Sequence, residues 1–257
     1  MSTADHEVVW ARERSFHDAL AGQLDIEALD RSRSPDGLDA ALLQLAGDLR
    51  DRRILDAGCG QGDLTVALLE RGARVTALDL SPGMVDVVRC RVNRLGEGPH
   101  VFTAVAAPLE RSGLPDGYFD LVLGKFVLHH VDVETACREL RRLLRPGGRA
   151  IFIENAGDNP MLSFARKHVA GRFGVPRLGT EDEHPLLARD VDGLRRVFAR
   201  VEAHYPVFEF FVLFDRQVLR FRLGWLSRII RWIDDGIHRH APRLRRFSYR
   251  VIIELQA

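Results

Sequence analysis

The chain has 257 residues, 46% hydrophobic and 28% charged, which is enough apolar material for one sizeable α/β domain carrying insertions. Its net charge of +1 gives no reason to expect a nucleic-acid partner for the whole molecule. No run approaches the roughly 18 apolar residues of a membrane span, and Cys59, Cys90 and Cys137 follow no disulfide or zinc spacing, so no metal is expected.

The opening Met-Ser-Thr-Ala-Asp-His-Glu lacks the basic stretch and apolar run of a secretory signal, and the expected location is the cytoplasm. Lysine occurs only at Lys125 and Lys167. That skew toward arginine fits a GC-rich genome better than any chemistry, and single arginines carry little functional weight.

In chain order, residues 7–30 read as a helix, with Val8, Trp10, Phe16, Leu20 and Leu24 near helical spacing. A polar break at 31–37 leads to a second helix near 38–48. From Arg53 the pattern alternates. Ile54-Leu55 opens a buried strand, a glycine turn ends it, and Leu64 to Glu70 is helical. Val75 to Asp79 forms a second strand, and Ser81-Pro82 suits the N-cap and first turn of a helix through Asn93. Further strands are expected at Val101–Val105, Phe119–Gly124 and Ala150–Glu154, with a helix from Val133 to Leu144 before the last. Residues 156–185 read as irregular, 187–198 as helix, 200–214 as carrying a sixth strand, 216–241 as helix and Tyr249–Leu255 as a final strand. Strands alternating with helices at this spacing predict a doubly wound, mostly parallel seven-stranded sheet with helices on both faces.

The first turn, Asp56-Ala-Gly58-Cys59-Gly60-Gln-Gly62, follows a buried strand. Its glycines allow a sharp bend and bring bare backbone against a ligand, while the next helix directs free N–H groups at it. Asp79, at the carboxyl end of the second strand, is placed to accept both hydroxyls of a ribose. S-adenosyl-L-methionine and a dinucleotide both suit that much. A dinucleotide fingerprint requires glycine at position 63, where this chain has Asp63.

Asp-x-Gly-x-Gly-x-Gly resembles the first motif of class I S-adenosylmethionine-dependent methyltransferases of the small-molecule and quinone type. Ala77-Leu-Asp-Leu-Ser-Pro-Gly-Met84, Leu114-Pro-Asp-Gly-Tyr-Phe-Asp-Leu-Val122 and Leu143-Leu-Arg-Pro-Gly-Gly148 are similar to later motifs in the same order, and the resemblance runs from about Arg53 to Leu255. It implies a Rossmann-like class I fold whose cofactor leaves as S-adenosyl-L-homocysteine. It further implies that Gly58, Cys59 and Gly60 meet the methionine part, Asp79 the ribose, Leu80 and Met84 the adenine, and Lys125 the sulfonium end. Asp56 and Gly62 complete the turn, and Cys59 reads as a small residue without a chemical role. The family usually carries an aspartate after the third strand to meet the adenine amine, but here the run is Val105-Ala-Ala107-Pro-Leu109-Glu110. Either Glu110 substitutes, or backbone and packing at positions such as Ala107 and Leu109 hold the adenine.

Methyl transfer needs its reactants held in line, and an oxygen or nitrogen acceptor needs a base, for which histidine is suited near neutral pH. His129 and His130 follow the fourth strand at the carboxyl edge, where open α/β sheets place ligands. The alternative is that they bond the backbone beneath the site. The segment Thr180-Glu-Asp-Glu183-His184-Pro185 offers an acid/base pair in Glu183 and His184, or else a polar solvated turn. Residues 1–50 are expected to form a helical cap or lid. The remainder, 51–257, is the cofactor domain, and its inserts 156–185 and 216–241 cover the acceptor pocket.

From Arg216 to Glu254 there are ten arginines against three acidic residues, and Leu219, Leu223, Leu226, Ile230 and Ile233 repeat at helical spacing. Three readings compete for this helix: core packing with a solvated cationic back, peripheral contact with a membrane, and a cationic mouth for an anionic substrate. Without stacking aromatics between the basic residues, a nucleic-acid groove is discounted. Together these features predict methylation of a small, partly apolar molecule, O-methylation favoured over N or C. The alternatives are lipid or quinone methylation at a membrane surface, and a S-adenosylmethionine-binding protein without methyl transfer. Oligomeric state is not legible.

Overall fold

Strands with apolar residues on both faces belong inside a sheet covered on both sides, and the computed structural model has that arrangement. It describes residues 3–32, 37–96, 101–157, 159–168, 185–219 and 221–257. The strands are β1 (Arg53–Ala57), β2 (Arg74–Asp79), β3 (Phe102–Ala106), β4 (Phe119–Lys125), β5 (Leu144–Asn155), β6 (Arg200–His204) and β7 (Arg250–Gln256). They form one sheet of order β3-β2-β1-β4-β5-β7-β6, in which β7 is antiparallel to both its neighbours and the other pairings are parallel. The Rossmann-like, mostly parallel seven-stranded architecture is as expected.

Alternation along each strand divides the core in two. Leu55, Val122 and Phe152 face a cluster with α6 (Val133–Leu143) and α8 (Ala188–Val197). Ile54, Leu121, Leu123 and Ile151 face α3 (Gly37–Ala46), α4 (Asp63–Leu69) and α5 (Pro82–Leu95). Ser81 caps α5 by accepting from the Met84 N–H at 3.0 Å, with Pro82 in the first turn.

Three segments differ from expectation, the first two for local reasons. The helix expected over 7–30 is two, α1 (Thr3–Ala21) and α2 (Ile26–Ser32), because Asp25 accepts from the N–H groups of Glu27 and Ala28 and starts a new helix. The stretch read as irregular contains α7 (Pro160–His168), started by Asn159, whose Oδ1 accepts from Met161 and Leu162 N–H groups. The single helix expected over 216–241 is interrupted. A short helix α9 (Phe211–Phe214) runs into a π-turn over Asp215–Leu219, Phe221 takes φ 54°, and α10 (Gly224–His240) starts afresh. Leu223 is therefore exposed at the head of α10, and among the described residues the inward face there is formed by Ser227, Ile230 and Asp234.

Register decides where the C-terminal insertion sits. His204 pairs with Ile252 and Asn155 with Arg250, so residues 205–249 leave and re-enter the sheet at the carboxyl ends of the parallel strands. That is the edge where α/β sheets build ligand sites.

Candidate active site

The turn after β1 is shaped by close packing. Gly58 has φ 67°, and a Cβ there would lie 2.3 Å from Val127 Cγ2; one at Gly62, φ 84°, would lie 2.9 Å from Val88 Cγ2. At Gly60, φ 48°, a Cβ would meet no described atom within 4 Å, so its bare backbone borders open space. Asp79 ties the turn to β2, its Oδ2 accepting from Gly60 N–H at 2.8 Å and its Oδ1 from Ser81 N–H at 2.9 Å. Buried Arg91 on α5 braces the turn from behind, donating to the Gln61 carbonyl at 2.5 Å and to Asp63 at 2.8 Å.

Past β4 the chain bends sharply. Phe126 takes φ 59°, a conformation bulky residues adopt only when their surroundings impose it. Fully buried Glu154, at the end of β5, supplies that constraint. Its Oε1 accepts from Val127 and Leu128 N–H groups at 2.8 and 2.7 Å, and its Oε2 lies 2.8 Å from His129 Nδ1. His129 is therefore turned inward beneath the loop.

His130 turns the other way. Its Nδ1 lies 3.3 Å from Glu13 Oε2, and its ring meets that of His17 edge-on. Glu13 and His17 are one turn apart on α1, and His17 Nε2 lies 3.6 Å from the same Glu13 oxygen. The helix is held over the turn by Asp18, whose Oδ1 accepts from Ser81 Oγ at 2.5 Å and from Gly83 N–H at 2.9 Å.

Between α1, the glycine turn and the β4 loop lies a cavity of about 280 Å³. Of the cofactor residues expected from sequence, Gly58, Gly60, Asp79, Leu80, Ala107, Leu109 and Lys125 line it, as does His130. Asp56, Cys59, Gly62 and Met84 lie behind that lining: Asp56, Cys59 and Met84 are buried, and Gly62 is the N-cap of α4. Burial pushes the Cys59 thiol well above its ordinary value. Lys125 Nζ is held 2.9 Å from Asp39 Oδ1 on α3. Thr180 to His184 lie outside the described residues.

Sequence reasoning missed Trp10, Glu13 and the role of Glu154. Trp10 and Glu13 line the cavity, and Trp10 Nε1 donates to Glu110 Oε1 at 3.4 Å. The only local signal for Glu13 was its i, i+4 spacing to His17. Glu110 also lines the cavity and accepts from Asp132 N–H at 3.2 Å.

Asp56 makes a pH-dependent contribution to stability. Burial pushes its carboxyl up from 3.8 to about 6, although Thr65 Oγ1 donates to it at 2.5 Å and Lys125 lies near. The folded chain thus keeps a proton that the unfolded chain has released, and stability falls as pH rises through that window, by about 3 kcal/mol. Asp56→Asn should remove this slope. Unfolding free energies from denaturant titration should move in the variant's favour by about 3 kcal/mol between about pH 4 and pH 7; parallel pH profiles for the two proteins would contradict the assignment.

Residues 55–152 match the family described as "Methyltransferase domain". An uncharacterized methyltransferase of Mycobacterium tuberculosis is 38% identical over 127 residues, 49% of each chain, so this chain aligns over about half the length of that relative. A ubiquinone biosynthesis O-methyltransferase of Xanthomonas oryzae pv. oryzae is 35% identical over 168 residues, covering 65% of this chain and 66% of that one. Among solved structures, the S-adenosylmethionine-dependent methyltransferase from Mesorhizobium loti superposes with a TM-score of 0.57 at 22% identity, over 87% of this chain and 100% of the other. The last is a likeness of fold.

Proposed function

Because this chain belongs to the class I S-adenosylmethionine-dependent methyltransferase family, we propose that it transfers the methyl group of S-adenosylmethionine to an oxygen of a small, partly apolar acceptor. The observation that carries this reading is that Gly60, Asp79 and His130 all open into one cavity.

The residues fit the cofactor. The bare backbone at Gly60 borders space that a side chain would fill, Asp79 presents a carboxylate fixed at both oxygens, and Leu80, Ala107 and Leu109 give an apolar wall. In this reading Gly58 and Gly60 hold the methionine part, Asp79 the ribose hydroxyls, and the 107–110 run with Glu110 the adenine. Bound S-adenosylmethionine supplies a sulfonium-borne methyl group open to in-line displacement.

His130 is the proposed base. Glu13 lies against its Nδ1, which favours a proton on that nitrogen and leaves Nε2 to take the acceptor's hydroxyl proton as the oxygen attacks. Helix α1 brings Glu13 to this histidine and forms one wall of the cavity. His129, engaged with Glu154, is a positioning residue. Cytoplasmic residence belongs to the same proposal; no helix among the described residues is long and apolar enough to cross a membrane.

The test is turnover of an alkyl-substituted catechol and of the matching aniline, read as S-adenosylhomocysteine formed and product heavier by one methyl group. The catechol should be methylated. His130→Gln should lower kcat by about 10²- to 10⁴-fold with the affinity for S-adenosylmethionine unchanged. Preference for the aniline, or full turnover by the variant, would contradict the oxygen acceptor or the base respectively.

A further inference from the structure

Helix α10 turns an apolar face outward. Ser227, Ile230 and Asp234 point into the protein, and the opposite side carries Trp225, Ile229 and Trp232 at i, i+4 and i+7, exposed at 59%, 46% and 73%. A surface helix normally presents polar groups there. Phe221 and Leu223, in the turn leading into α10, are also exposed. Beside this stripe stand Arg228, Arg231 and Arg239, all exposed, with Asp235 as the neighbouring counter-charge, 3.7 Å from Arg239. Arg222 is exposed just ahead of the helix.

An apolar stripe with two tryptophans and a cationic flank matches what an anionic bilayer surface rewards. Indole rings settle at the headgroup level, arginines meet lipid phosphates, and an amphipathic helix lies in the interface with its apolar face down. A protein partner would be served by the same apolar side chains, but the excess of arginine over acid along 216–254 favours a densely negative surface. Because residues 205–249 begin and end at the carboxyl edge of the sheet, contact through α10 brings lipid to the edge at which the cavity lies.

We propose that the Trp225–Ile229–Trp232 face of α10 docks this chain peripherally on anionic membranes. The proposal stands apart from the identity of the methylated atom and does not depend on turnover.

Flotation with phosphatidylcholine vesicles, with and without phosphatidylglycerol, tests it. The wild-type chain should float with the anionic vesicles at low salt and lose binding as salt rises. Tryptophan emission should shift to the blue on binding, since Trp10 is already buried and the shift reports Trp225 and Trp232. A Trp225→Ser/Trp232→Ser variant should bind vesicles roughly 100-fold more weakly, and Arg228→Gln/Arg231→Gln roughly 20-fold more weakly. Both should keep the wild-type melting temperature and affinity for S-adenosylmethionine, which separates lost docking from lost folding. Failure of the wild type to float, undiminished flotation of the tryptophan variant, or a lipid-free dimer dissociated by that variant would each overturn the proposal; the last would assign the face to a second copy of the chain.

Discussion

Asp79→Ala should weaken S-adenosylmethionine binding by about 10²- to 10³-fold in isothermal titration. The carboxylate acts twice. It holds the glycine turn to β2 by accepting from Gly60 and Ser81 N–H groups at 2.8 and 2.9 Å, and it offers the cavity its acceptor for ribose hydroxyls. Hydrogen bonds to a charged group contribute about 1.5–3 kcal/mol each, and removal of the side chain forfeits those to the turn and those to the ligand together. Asp79→Asn keeps one acceptor and should fall between. Gly60 N–H borders open space, where solvent can replace the lost partner, but Ser81 is fully buried and its N–H loses an acceptor, so the melting temperature should fall along with the affinity. A dissociation constant for the alanine variant within about threefold of wild type would remove Asp79 from the cofactor site.

Glu154→Ala should be among the most destabilising single changes in the chain. Its side chain is fully buried and bonds the N–H groups of Val127 and Leu128 as well as His129. Truncation leaves two backbone donors without their acceptor inside the core and opens a void, a combination that costs about 3–5 kcal/mol. At about 2–4 °C per kcal/mol for a chain of this size, the melting temperature should drop by roughly 10 °C or more. Glu154→Gln keeps an acceptor for both N–H groups and should lose far less. Because the loop from Phe126 to His130 forms one wall of the cavity, the alanine variant should also bind S-adenosylmethionine more weakly. Equal melting of Glu154→Ala and wild type would show that the loop is held by other means.

These two residues mark how much could be read ahead of the fold. Asp79 was legible because its role is set by neighbours along the chain: a strand end, a glycine turn one helix earlier, and the Ser81-Pro82 start of α5. Glu154 was visible as the acid closing β5, yet nothing local says that its oxygens reach across to β4 and fix the loop after it. The same distinction runs through the helices. The cap at Ser81 is a short-range hydrogen bond that residue types announce. The break between α9 and α10 follows from Phe221 in a left-handed conformation, which residue type disfavours and only packing imposes.

The inner stripe on α10 was legible in part. Ile230 turns inward as helical periodicity suggested, but Leu223 stands exposed, and Ser227 and Asp234 are buried instead. The Asp234 carboxylate accepts from Phe211 and Val212 N–H groups at the head of α9. A polar residue buried to satisfy another helix's free donors leaves no trace in hydrophobic periodicity.

By itself, then, the sequence determined the strand and helix alternation, the sheet's covered faces and the turn at 56–62, because each depends on residues close together in the chain and on the periods of strand and helix. The tertiary structure decided which histidine meets the cavity and which is buried, since Glu13 reaches His130 from α1 and Glu154 reaches His129 from β5. It also decided which face of α10 is left to the solvent. Those outcomes depend on contacts between segments far apart in the chain, and the free energy of such contacts exists only once the sheet has brought the segments together.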